Sequence, residues 1–136
     1  MRRNPVRLDG TELLAIFAGG FAGAIARAGL VEALPHDAGE WPWATFVVNI
    51  GGAFLLGYLV TRLQERLPLS AYKRPLLGTG LCGALTTFSA MQLELLRMFD
   101  GRHFALAAGY AVSSVVLGFL AVAAATNLVR RAKVVA

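Results

Sequence analysis

Residues 83–91, Gly-Ala-Leu-Thr-Thr-Phe-Ser-Ala-Met, place small and hydroxyl-bearing side chains inside an apolar stretch that runs from about Leu76 to Met98. Thr86, Thr87 and Ser89 offer hydroxyls, and Phe88, Met91 and Glu94 recur at intervals that keep helical residues near one face. Two readings are open. Either the hydroxyls bond back to their own backbone in a packed helix, or the helix breaks near its centre. In the second case freed carbonyls coordinate a cation, and the electropositive ring edge of Phe88 borders an anion path. A break at bilayer depth is tolerated only where its backbone groups line a protein-enclosed site.

Other polar side chains interrupt apolar runs in the same way. Asn49 has Thr45 one helical turn before it, on the same face. Its carboxamide carries two donor hydrogens and a carbonyl that a neighbour can satisfy, which suits a small anion and equally an interhelical hydrogen bond. Tyr110 and Ser114 repeat that spacing further on, beside Ser113. Arg27 and Glu94 are costly to leave unpaired in lipid, so each should face protein, water or the headgroup boundary, Arg27 by snorkelling or by securing helix ends. No nucleophile has a matching base, and no GxxxxGK[ST] loop is present, so covalent catalysis and ATP-driven pumping are not expected. The single cysteine, Cys82, reads as a small packed hydrophobe, and His36 and His103 as loop or interfacial histidines without metal-ligand spacing.

The elements that must position these groups are membrane spans. The 136 residues are 57% hydrophobic and 15% charged, with a mean hydropathy of +0.61, whereas soluble domains are about 25% charged. Apolar segments at about Leu13–Leu34, Trp43–Leu63, Pro75–Met98 and Phe104–Leu128 each reach the roughly 20 residues a helical crossing needs. The first is too long for a signal-peptide core and reads as a retained span. Short connections at Pro35–Glu40, Gln64–Arg74 and Phe99–His103 leave no room for a soluble catalytic domain. The charge of +5 reflects basic span ends, since aromatic-basic interleaving and zinc-finger spacing are both missing and nucleic acid is not expected as a partner. Arg2, Arg3, Arg7, Arg62, Arg66, Lys73, Arg74, Arg130, Arg131 and Lys133 fall on one side of a four-span arrangement, against Arg97 and Arg102 on the other. The positive-inside rule then puts both termini in the cytoplasm. Gly19, Gly20 and Gly23, and Gly51 and Gly52 with Ala53, form small-residue faces suited to close helix contact. So small a subunit encloses little, and oligomerisation is the expected way to complete a pathway.

Three blocks sharpen this reading: GGFAGAIAR at Gly19–Arg27, ATFVVNIGGAFLLG at Ala44–Gly57 and GLCGALTTFSAMQLE at Gly80–Glu94. Together with the span pattern, Tyr110 and Ser114, they make the chain resemble the bacterial fluoride channel family, also called CrcB or Fluc, over nearly its whole length. The resemblance implies one all-α transmembrane domain over 1–136, with four helices, the third broken near its centre, in an inverted-topology dimer. It implies two fluoride pathways, a central structural sodium ion (Na+), and passive export of cytoplasmic fluoride across the bacterial cell membrane. By the same resemblance Thr45, Asn49, Phe88, Met91, Glu94, Tyr110 and Ser114 belong to the ion pathway. Gly83 and Thr86 would offer backbone carbonyls to sodium, and Arg27, Thr87 and Ser89 would be structural.

Two positions depart from the family pattern. Met91 stands where a second pore phenylalanine is usual, and a soft thioether lacks an aromatic edge. Ala84 replaces a frequent glycine beside the break. The strong basic bias also conflicts with an inverted homodimer, which requires some copies to insert the other way, so a heterodimer with a homologous subunit is the competing partner. The alternatives in function are a small multidrug exporter, which would need a central carboxylate in the first span that this chain lacks, and a structural membrane protein without transport.

Overall fold

The computed structural model describes residues 9–65 and 72–132. Helix α1 spans Gly10–Ala33, α2 Trp43–Glu65, α3 runs through Pro75–Cys82 in π-helical geometry and continues as Gly83–Leu85, α4 spans Phe88–Asp100 and α5 Phe104–Arg131. Four helical stretches, taking α3 and α4 as one of 26 residues, are long and apolar enough to cross a membrane. The basic residues Arg2, Arg3, Arg7, Arg66 and Lys133 of the charge argument lie outside the described residues.

Local chemistry sets the ends. Asp9 caps α1, its carboxylate accepting the Thr11 N–H at 2.9 Å, so the helix begins slightly before the expected Leu13. Pro35 follows the other end and excludes helical geometry at the residue before it. Pro42 opens α2, its carbonyl accepting the Phe46 N–H at 3.0 Å. Past α4, Gly101 donates to the Arg97 carbonyl and Arg102 adopts φ 58°, turning the chain sharply into α5.

The third span is bent where the sequence reading placed its break. Thr86 (φ −80°, ψ 149°) and Thr87 (φ −149°, ψ 111°) are extended, separating α3 from α4. The π-helical geometry of Pro75–Cys82 was not expected. A π-turn closes one residue later than an α-turn, and a hydrophobic pattern does not encode that difference.

The helices associate as α1 with α3 and α2 with α5, joined through the region around the break. The first pair is in backbone contact: a Cβ at Gly19 would run into Leu76 O, and one at Gly23 into Leu81 O. Close approach without side chains is how membrane helices gain dispersion where lipid supplies no hydrophobic drive. In α2, Gly52 leaves room for the Thr86 methyl, whereas Gly51 faces open space.

The buried apolar cluster, Met98, Ala107 and Tyr110, sits at the α4–α5 turn, covered by Trp41, Phe46 and Leu95. Trp41 packs edge-on against Phe46 at 5.2 Å and Tyr110 at 5.5 Å, the arrangement that opposes ring edge to ring face. Elsewhere large apolar side chains point outwards, among them Phe17, Phe21, Val115 and Phe119, the last 73% exposed. Such a surface fits hydrocarbon or another membrane protein rather than water.

Candidate functional site

Asn49 of α2 reaches the break and holds Thr87 by both backbone polar groups. Its Oδ1 accepts the Thr87 N–H at 2.8 Å, and its Nδ2 donates to the Thr87 carbonyl at 3.1 Å. The carboxamide replaces a missing stretch of backbone ladder, and one Nδ2 hydrogen remains uncommitted. Of the two sequence readings for Asn49, the interhelical bond is therefore present, with a donor left over.

The Thr86 and Thr87 hydroxyls are occupied with backbone. Thr86 Oγ1 donates to the Cys82 carbonyl at 2.8 Å, and Thr87 Oγ1 accepts the Ala90 N–H at 3.1 Å as the cap of α4 while pairing with Ser89 Oγ at 3.1 Å. These two diversions explain which carbonyls the break frees. In a continuous α-helix the Thr87 N–H would return to Gly83 and the Ala90 N–H to Thr86. The first goes to Asn49 and the second to Thr87 Oγ1, leaving the Gly83 and Thr86 carbonyls without their helical donors. Gly83 lies on the exposed surface of the chain, with open space where a side chain would be.

A groove of about 370 Å³ runs beside this junction. Asn49, Thr86, Thr87, Phe88, Met91 and Ser114 line it, bringing together residues of α2, the break, α4 and α5. Phe88 is 68% exposed. A second groove of about 360 Å³ holds Arg27, Glu32 and Thr45, with Thr87 shared between the two. Arg27 makes no hydrogen bond or ion pair with another described residue and is half-buried, as snorkelling predicts. Cys82 is buried and unpaired.

Glu94, Tyr110 and Thr45 are not in the first groove. Tyr110 is fully buried. Its hydroxyl, the Ser114 Oγ and the Trp41 indole N–H are inaccessible and find no partner among the described residues. Unpaired buried donors are unfavourable unless an acceptor reaches them. Glu94 is buried too, because three residues fall about 60° short of a full turn and six fall about 120° short. The face predicted from Phe88 through Met91 to Glu94 thus rotates away from the groove.

Sequence reasoning missed His36. Its Nε2 lies 2.9 Å from Glu94 Oε2, across a separation of 58 residues, and Arg97 Nη1 approaches the same oxygen at 3.8 Å. No local spacing signals a contact between a loop and a helix so distant in sequence. Among the described residues no group of His, Cys, Asp and Glu is arranged to hold a metal ion, and the freed oxygens are backbone carbonyls instead.

Comparison with known proteins agrees with this architecture. The family described as "CrcB-like protein, Camphor Resistance (CrcB)" matches residues 14–126. The chain is 60% identical over 126 residues to "Fluoride-specific ion channel FluC 1" of Mycobacterium bovis, covering 93% of this chain and 96% of that protein. It is 43% identical over 121 residues to "Fluoride-specific ion channel FluC" of Phenylobacterium zucineum, with 88% and 95% covered, and 40% identical over 123 residues to the protein of that name from Caulobacter sp., with 89% and 96% covered. With its family match, its curated relatives and its four apolar helical stretches, this multi-pass bacterial membrane protein belongs to the CrcB/FluC family.

Proposed function

We propose that the protein is a passive fluoride-selective channel. The observation that carries this is the capped, broken third span held by Asn49 beside a groove that also contains Phe88, Met91 and Ser114. Its curated relatives are named fluoride-specific ion channels, and the family is not one of catalytic enzymes. In this reading the spare Asn49 N–H and the ring edge of Phe88 replace parts of an anion's hydration shell in the groove, and the buried, unpartnered hydroxyls of Ser114 and Tyr110 stand behind its wall as further donors. Thr45 and Glu94 continue the path beyond the groove, and Arg27 and Ser89 support its walls.

The unit of function in this reading is an inverted dimer. One subunit leaves the groove open and the Gly83 surface bare, so a second copy or a homologous subunit completes the enclosure. The donor set at the break fits a hard cation, which prefers oxygen ligands, and the carbonyls of Gly83 and Thr86 would hold a sodium ion there. Bound sodium supplies a fixed positive charge between the subunits.

Fluoride efflux from liposomes containing the purified protein is the deciding measurement. Fluoride release well above protein-free liposomes, with far less chloride release, is expected; equal release with and without folded protein sinks the reading. Cysteine-accessibility labelling at both termini, with and without a homologous partner, separates homodimer from heterodimer. Labelling from both sides with flux from the chain alone supports a homodimer. Purely cytoplasmic termini with flux only on co-expression support a heterodimer.

A further inference from the structure

Glu94 is the one carboxylate that the proposed path must accommodate inside the protein, and a negative charge there opposes an entering anion. What surrounds it decides that charge. His36 Nε2 and Arg97 Nη1 both converge on Oε2, at 2.9 Å and 3.8 Å, while Oε1 has no partner among the described residues. The Arg97 side chain is 55% exposed, so its charge is screened, whereas His36 and Glu94 are 15% and 9% exposed, and their mutual interaction is not.

The protonation state of His36 therefore controls the local balance. A neutral imidazole donating from Nε2 holds the carboxylate in place but leaves its charge uncancelled. A protonated imidazole makes the same hydrogen bond and adds a unit positive charge beside it. Imidazole is the side chain whose ordinary titration range lies nearest physiological pH.

Charged and titratable groups approach His36 from each element packed around it. On its own loop, Glu40 lines the same cavity, and its carboxylate accepts the Asp37 N–H at 3.2 Å. From α4 come Glu94 and Arg97, and from α5 the Tyr110 phenol, which lies within electrostatic reach of Glu94. His103, from the α4–α5 turn, packs against Gly39 of the loop. The end of α1 contributes Leu34 to the cavity and no charge.

We propose that His36 is a positioning residue that sets the net charge of the Glu94 end of the anion path, so that fluoride conduction is greater when the imidazole is protonated. The inference rests on the fluoride-channel reading.

The test is fluoride current in planar bilayers with the same pH on both sides, since HF carries no current. The parent protein should pass about three- to tenfold more current at about pH 5.5 than at about pH 8. His36→Gln, whose amide still donates to Glu94, should be flat across that range at the alkaline level. His36→Lys should be flat at the acid level, which a merely structural role would not produce. His103→Gln should keep the parent's step. A parent current without a pH step, or a step that survives in correctly assembled His36→Gln or His36→Lys, overturns the inference and leaves the channel reading standing. If folded parent passes no fluoride current at either pH, the channel reading fails and takes the inference with it.

Discussion

Asn49 binds the N–H and the C=O of Thr87 at once, joining two residues 38 positions apart through a pair of bonds that a peptide ladder would otherwise make. On the proposed channel reading, function and fold would meet in one side chain. Asn49→Ala strips the Thr87 N–H of its acceptor and should cost about 1–3 kcal/mol of stability as well as most of the fluoride flux. Asn49→Asp keeps the acceptor for the Thr87 N–H but sets a carboxylate oxygen against the Thr87 carbonyl, so it should assemble less well than the parent, and the assembled fraction should conduct poorly. Parent-like flux from assembled Asn49→Asp would contradict a donor role, and the check is liposome efflux beside size-exclusion profiles.

Phe88→Ile keeps bulk and removes the ring edge, so flux should fall while assembly is retained. Met91→Phe adds an aromatic edge on the same groove wall and should alter conduction rate without unfolding the protein. Efflux rates matched for the amount of dimer decide both, and unchanged flux from Phe88→Ile would remove the ring from the path.

The backbone contact between α1 and α3 allows no side chain at Gly23, where a Cβ would meet Leu81 O. Gly23→Val should cost about 3 kcal/mol through overpacking. Cys82, buried in α3, supplies the readout. It should resist maleimide in the folded parent and react in Gly23→Val at a rate approaching that of denatured protein. Equal protection in the two proteins would show that the helices tolerate separation.

Thr87→Val removes the cap from Ala90 and lets that N–H turn back towards the Thr86 carbonyl. A loss of about 1 kcal/mol from capping is expected. If sodium is held as proposed, the variant should also need more sodium to remain dimeric. Replacing sodium with a large organic cation and following dimer content by size exclusion tests this. Identical sodium dependence in parent and variant would place the ion elsewhere.

The spans and the bend were legible because long apolar runs, and a polar interruption within one, are properties of neighbouring residues. Gly19 and Gly23 announced a tight helix contact for the same reason. Two relationships were hidden. The partner of Thr87 and the partner of Glu94 both lie on other elements, and side-chain type alone does not select between Asn49 as anion donor and Asn49 as backbone clamp. The face assigned to Phe88, Met91 and Glu94 failed over two steps of three residues, because the helical remainder accumulates.

Helix α5 is 28 residues long, about 42 Å along its axis, whereas a typical hydrocarbon core is about 30 Å thick. Its last turn ends in Arg130 and Arg131, which suit the headgroups, so the excess is the length that tilt and a run into the headgroup layer would take up. Ser114 and Gly118 of this helix form one wall of the groove beside Asn49. On the channel reading, a helix longer than the bilayer is thick would couple membrane thickness to the position of that wall.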